Sequence, residues 1–146
     1  MLIEYSTDPY VNRLVKEWLK HDCLLIGSDI DDTLIPYNDW SKDICSQVVN
    51  LLLDCKTEGI ILILNTAREE SRLKESVSEI ENLGLKVDAI NKTPEYLNLP
   101  YGKSGKIYAN IFLDDRGGLT LAMDQLRRAF EKVKEIRIQQ KLKSEL

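Results

Sequence analysis

Residues Ile60 to Leu64, IILIL, are apolar at every position and rich in β-branches, with Gly59 before them and Asn65 after. A strand with one wet face alternates apolar and polar residues. An unbroken apolar run suits a central parallel strand covered on both faces. Parallel neighbours need long crossovers, usually helical, and the flanking sequence supplies them. Ile44, Val48, Leu51, Leu52 and Cys55 recur at helical spacing from about Asp43 until Gly59 stops them. Leu73, Val77 and Ile80 do the same between Glu69 and Leu83, with Gly84 as the stop. Leu24–Ser28, Leu85–Ile90 (despite Asp88) and Ile107–Leu113 read as further strands. Asn91–Gly105, carrying Pro94, Pro100, Gly102 and Gly105, reads as a loop with room for one helical turn over Glu95–Leu97. Thr7 or Asp8 caps a first helix at Pro9, whose Val11, Leu14 and Trp18 are expected to face the sheet. Leu119, Ala122, Met123, Leu126, Phe130 and Val133 mark a last helix running into a charged tail. Strand and helix alternate, so the expected class is α/β, a Rossmann-like three-layer sandwich around a parallel sheet of about four or five strands.

The 146 residues fit one domain: an amino-terminal helical extension over 1–22, a core over 24–126 and a helical tail over 127–146. The net charge of −4 gives no general attraction to nucleic acid. Nucleic acid stays a possible partner that net charge does not indicate. Arg127, Arg128, Lys132, Lys134, Arg137, Lys141 and Lys143 read as a solvating helix face. No apolar run approaches the ~20 residues of a membrane span, so no membrane partner is expected. MLIEYSTDPY lacks the basic segment of a signal peptide. Cys23, Cys45 and Cys55, an odd count without CxxC spacing, read as reduced core thiols. Lone His21 lacks the partners a metal ligand needs. A cytoplasmic protein is expected.

Ligands of parallel sheets bind at the carboxyl ends of the strands, and polar residues of particular types collect there. One strand ends in Asp29, Asp31, Asp32 and Thr33; another in Asn65, Thr66 and Arg68; the last in Asp114, Asp115 and Arg116, preceded by Lys103 and Lys106. Crowded carboxylates repel unless a cation, a proton or solvent offsets them. Carboxylates from two strand ends can chelate a hard cation such as Mg²⁺, while a hydroxyl, backbone N–H groups and a lysine hold phosphate oxygens. Each piece also has a plainer reading. Asp29–Thr33 can be a turn, Asp32 a solvated turn residue, Thr66 a helix cap, and Arg68 and Arg116 surface ion-pair partners.

The motif SDIDDTL resembles the Asp-x-Asp-x-Thr signature of the haloacid dehalogenase superfamily. ILILNTAR is similar to that family's second motif and IFLDDR to its acidic fourth, in the family's order. The resemblance spans about Leu24 to Leu126 and is nearest to small cap-less phosphatases, since neither segment after Thr33 nor after Thr66 has room for a cap domain. It implies a Mg²⁺-dependent phosphohydrolase acting through an aspartyl phosphate. Asp29 would be the nucleophile, and Asp31 the general acid and base with its backbone carbonyl on the metal. Thr66 would hold the phosphoryl oxygens and Lys106, preferred over Lys103, would neutralise them. Asp29, Asp31, Asp114 and Asp115 would form the metal site, with Asp115 favoured over Asp114 as direct ligand. Arg68, Lys103 and Arg116 would meet a phosphorylated substrate, either a small molecule or a macromolecular phosphate end. Two alternatives stand beside this. One is a phospho-accepting receiver module, whose acidic pair ends the first strand rather than the last. The other is a non-catalytic binding relative of the same fold.

Overall fold

Asp8 starts helix α1 (Pro9–His21): its carboxylate accepts the N–H groups of Tyr10 at 2.9 Å and Val11 at 3.3 Å. The computed structural model describes residues 3–97 and 105–146. Strand β1 (Leu24–Asp29) follows, then α2 (Lys42–Lys56), β2 (Ile60–Asn65), α3 (Glu70–Asn82), β3 (Ala89–Ile90), β4 (Ile111–Leu113) and α4 (Leu119–Ser144). The strands form one parallel sheet in the order β3-β2-β1-β4. Gly59, at φ 91°, turns the chain from α2 into β2, where an added Cβ would lie 2.9 Å from the Asp22 carbonyl oxygen. Only glycine fits there.

The strand order dictates the layers. Two successive steps in one direction, β1 to β2 to β3, place both right-handed crossovers on one face; the return from β3 to β4 must pass over the other. Accordingly Leu24, Ile26, Leu62 and Leu64 pack with α1, α2, α4 and Ile80 of α3. On the opposite face Leu25, Ile63 and Ala89 are covered by Leu97, Ile107, Tyr108 and Ala109 of the returning chain. The apolar run of β2 is thus covered on both sides, as its composition demands. The α/β class with a parallel sheet between layers holds. Among the described residues only a turn and one 3-10 turn (Asp39–Ser41) lie between β1 and α2, so no cap domain is inserted there.

Several element expectations need correction. The third strand covers two residues, not Leu85–Ile90, because the Asp88 carboxylate accepts the Leu62 N–H at 2.8 Å in place of a strand carbonyl. The fourth covers three residues, not Ile107–Leu113. Asn110 docks instead, its Oδ1 accepting the Leu25 N–H at 2.7 Å while its own N–H donates to the Leu25 carbonyl at 2.8 Å. Helix α1 packs mainly along α4 rather than on the sheet, with fully buried Trp18 donating from Nε1 to the Glu58 carbonyl at 3.0 Å. The turn over Glu95–Leu97 is present. Arginines of the tail are paired with acids of the body: Arg127 with Asp54 at 2.7 Å, Arg128 with Asp8 at 3.2 Å and Arg137 with Asp22 at 3.2 Å. All three cysteines are free thiols. No helix among the described residues is long and apolar enough to cross a membrane.

Candidate functional site

Register brings the strand ends together. Asp29 pairs with Asn65 across β1 and β2, and Ser28 with Leu113 across β1 and β4, so Asp29, Thr66, Asp114 and Asp115 share one edge. The turn after β1 is tight: the N–H groups of Thr33, Leu34 and Ile35 all donate to the Ile30 carbonyl. That turn buries Thr33, whose Oγ1 accepts the Asp115 N–H at 3.0 Å. The first loop therefore positions the last one directly.

The carboxylates of Asp29, Asp114 and Asp115 each bring an oxygen within 4.8 Å of the others, all three half-buried. Burial, a hydrogen bond with Asp115 and the charges of Asp114 and Asp115 push the Asp29 carboxyl up from 3.8 to about 7. A set of hard oxygen donors under mutual repulsion could hold a hard metal cation. Asn65, paired with Asp29 in register, has a buried Oδ1 without a hydrogen-bond partner among the described residues.

Asp31 behaves differently. Its carboxylate lies outside the cluster and is gripped by Arg68, from Nε at 3.2 Å and from Nη2. Arg68 is itself anchored through Nη1 on the hydroxyl of buried Ser76. With its side chain only 16% exposed, Arg68 is committed to Asp31 and does not stand free as a substrate contact. Thr66 lines the cleft, and its Oγ1 accepts the Arg68 N–H at 3.1 Å. It does not cap α3, whose N-cap is Glu69. Asn91, at φ 54°, clasps the Thr66 backbone from both sides, Oδ1 accepting its N–H and Nδ2 donating to its carbonyl, each at 2.8 Å.

Arg116 lines the cleft, as does Arg72, which sequence reasoning missed because it sits one helical turn beyond the motif. Lys106 is exposed and is not among the residues lining the cleft. The chain after it covers the Leu25/Ile63/Ala89 face, with the Tyr108 N–H donating to Thr93 Oγ1 at 2.9 Å and Asn110 docked near the start of β1. Lys103 lies outside the described residues. Asp32 is not a solvated turn residue: it is 6% exposed, and its carboxylate accepts four hydrogen bonds from Tyr37, Asn38 and Ser41. Neither Asp32, Thr33 nor Asn91 carries a local signal of these duties, since each partner is set by the folded loops.

No protein-family model and no curated protein matches the chain. A solved structure, described as that of the conserved protein coded by a locus from Bacteroides thetaiotaomicron, is similar at 26% identity. The similarity covers 65% of this chain and 78% of that one, with a TM-score of 0.49.

Proposed function

We propose that this chain is a Mg²⁺-dependent phosphohydrolase of the haloacid dehalogenase type, acting on a phosphomonoester through an aspartyl phosphate. The observation that supports it most is the convergence of Asp29, at the end of β1, with Asp114 and Asp115, just after β4, at the carboxyl edge of the sheet. Asp114 and Asp115 would hold the cation with Asp29, and the Asp31 backbone carbonyl would complete the protein's share. When bound, Mg²⁺ offsets the clustered charge and polarises the phosphoryl oxygens.

An Asp29 oxygen attacks phosphorus and the ester P–O bond breaks. The departing oxygen takes a proton from Asp31, which in the second half removes a proton from the water that attacks the same phosphorus. Inorganic phosphate leaves and Asp29 is restored. Because Arg68 occupies both Asp31 oxygens, a productive substrate must displace one of those contacts. Thr66 and the N–H groups after Asp29 receive the phosphoryl oxygens, and Arg72 and Arg116 supply positive charge at the cleft. Free thiols at all three cysteines agree with a cytoplasmic setting.

The test is hydrolysis of an aryl phosphate with and without Mg²⁺, together with detection of the phosphoenzyme. Asp29→Asn should abolish turnover and the covalent adduct, and a chelator should abolish turnover of the parent protein. Phosphate retained from an acyl phosphate without ester turnover would instead identify a phospho-acceptor module. Neither activity would leave a binding protein.

A further inference from the structure

The loop that follows the β1 turn exposes two large aromatic rings, Tyr37 at 69% and Trp40 at 67%. Tyr37 lines the same cleft as Asp29, Asp114 and Asp115. Large exposed rings forgo the free energy of burial, unless a ligand covers them. Nor is this loop loose. The Asp32 carboxylate accepts the Tyr37 N–H at 3.0 Å, the Asn38 N–H at 2.9 Å, the Asn38 side-chain amide at 2.8 Å and the Ser41 hydroxyl at 2.6 Å. The backbone carrying the ring is therefore ordered before any ligand arrives, which lowers the entropic cost of using it.

The rest of the cleft suits one end of a two-part ligand. Arg72 and Arg116 line it, and neither guanidinium makes an ion pair with the described residues. Its volume, about 780 Å³, accommodates a phosphate and an attached ring system. Acidic cluster and arginines account for the phosphate; they leave Tyr37 unexplained.

We propose that Tyr37 is a stacking platform for a flat aromatic group in the organic part of the substrate, so that the site selects aromatic phosphomonoesters. The inference rests on the phosphohydrolase reading for the phosphate end. Ring stacking is indifferent to whether the ring is a nucleobase or a phenol, and the two sources are separated by the choice of probes.

Calorimetric titrations of the Asp29→Asn protein with Mg²⁺ would compare adenosine 5′-monophosphate with ribose 5-phosphate, and phenyl phosphate with glycerol 2-phosphate. Each pair shares the phosphate and differs in the ring. The aromatic member of at least one pair should bind about tenfold more tightly, the size expected of one base–aromatic stack. Preference in the first pair alone identifies a nucleobase, and preference in the second a phenol. Tyr37→Ala introduced beside Asp29→Asn should bring that ratio near one, whereas Tyr37→Phe should keep it. Equal affinity within both pairs, no binding of either aromatic ligand, or a ratio that survives Tyr37→Ala would overturn the proposal. Failure of the phosphohydrolase reading looks different: the unsubstituted protein hydrolyses no ester and forms no phosphoenzyme, while the Tyr37-dependent ratio persists.

Discussion

The hydrogen bond from Ser41, then those from Asn38 and Tyr37, hold the Asp32 carboxyl down to about 2. A carboxyl whose folded value lies below the ordinary one, near 3.8, stabilises the fold while ionised. That contribution is complete above about pH 4 and is lost as pH falls through about 2. Acid should therefore loosen the loop carrying Tyr37 and Trp40 within that window, visible as a change in Trp40 emission. Asp32→Ala should do the same at neutral pH, speeding amide hydrogen exchange at Tyr37 and Asn38 about tenfold or more; unchanged exchange would show that the loop stands without it. Asp31 is the second residue to test. Asp31→Asn should slow ester turnover by about 10²–10⁴, yet still allow an acyl phosphate to label Asp29, with the adduct accumulating. An adduct on another residue would defeat the assignment of Asp29. The clustering of Asp29, Asp114 and Asp115 is legible in the sequence because carboxylates placed directly after apolar strands have few structural uses. Asp32, Thr33 and Asn91 are not, because each acts on a backbone group that only the folded loops bring near.

At the scale of elements, long strongly patterned segments were legible and short ones were not. Helices α1 to α3 follow their apolar periodicity closely, and strands β1 and β2 their unbroken apolar runs. The edge strands shrink because side chains intervene in their ladders. Asp88 does so beside β2 and Asn110 beside β1, and neither substitution of side chain for backbone leaves a periodic trace. Asn110 is 5% exposed and holds the returning chain to the first strand through two bonds to Leu25. Replacing it with alanine leaves the buried Leu25 N–H without an acceptor, a loss of about 1–3 kcal/mol. Urea unfolding of Asn110→Ala should show that drop with an unchanged m-value. A drop of that size with a lowered m-value would mean that the crossover detaches before the rest unfolds.

The whole molecule couples its charge cluster to its stability. Two loops, separated by most of the chain, hold Asp29 against Asp114 and Asp115, and Thr33 fixes their distance through the Asp115 N–H. Folding thus forces the proton affinity of Asp29 up to about 7. A group that binds protons more tightly when folded favours the fold at low pH. For Asp29 that benefit is full below about pH 4, declines as pH rises, and is gone above about pH 7. A divalent cation that binds only the folded cluster should restore what is lost. At one hundred times its dissociation constant such a ligand contributes about 2.7 kcal/mol, or roughly 5–10 °C in Tm for a chain of this size. The Mg²⁺-induced rise in Tm should therefore be large at pH 8 and small at pH 5, where a proton occupies Asp29 instead. Asp115→Asn separates this account from general salt effects, because it acts in opposite directions on the two states. Removing one repelling charge should raise the Tm of the metal-free protein at pH 8 while shrinking its response to Mg²⁺. Parallel losses in both would mean that Asp115 serves the fold through packing alone, and that no cation belongs among these carboxylates.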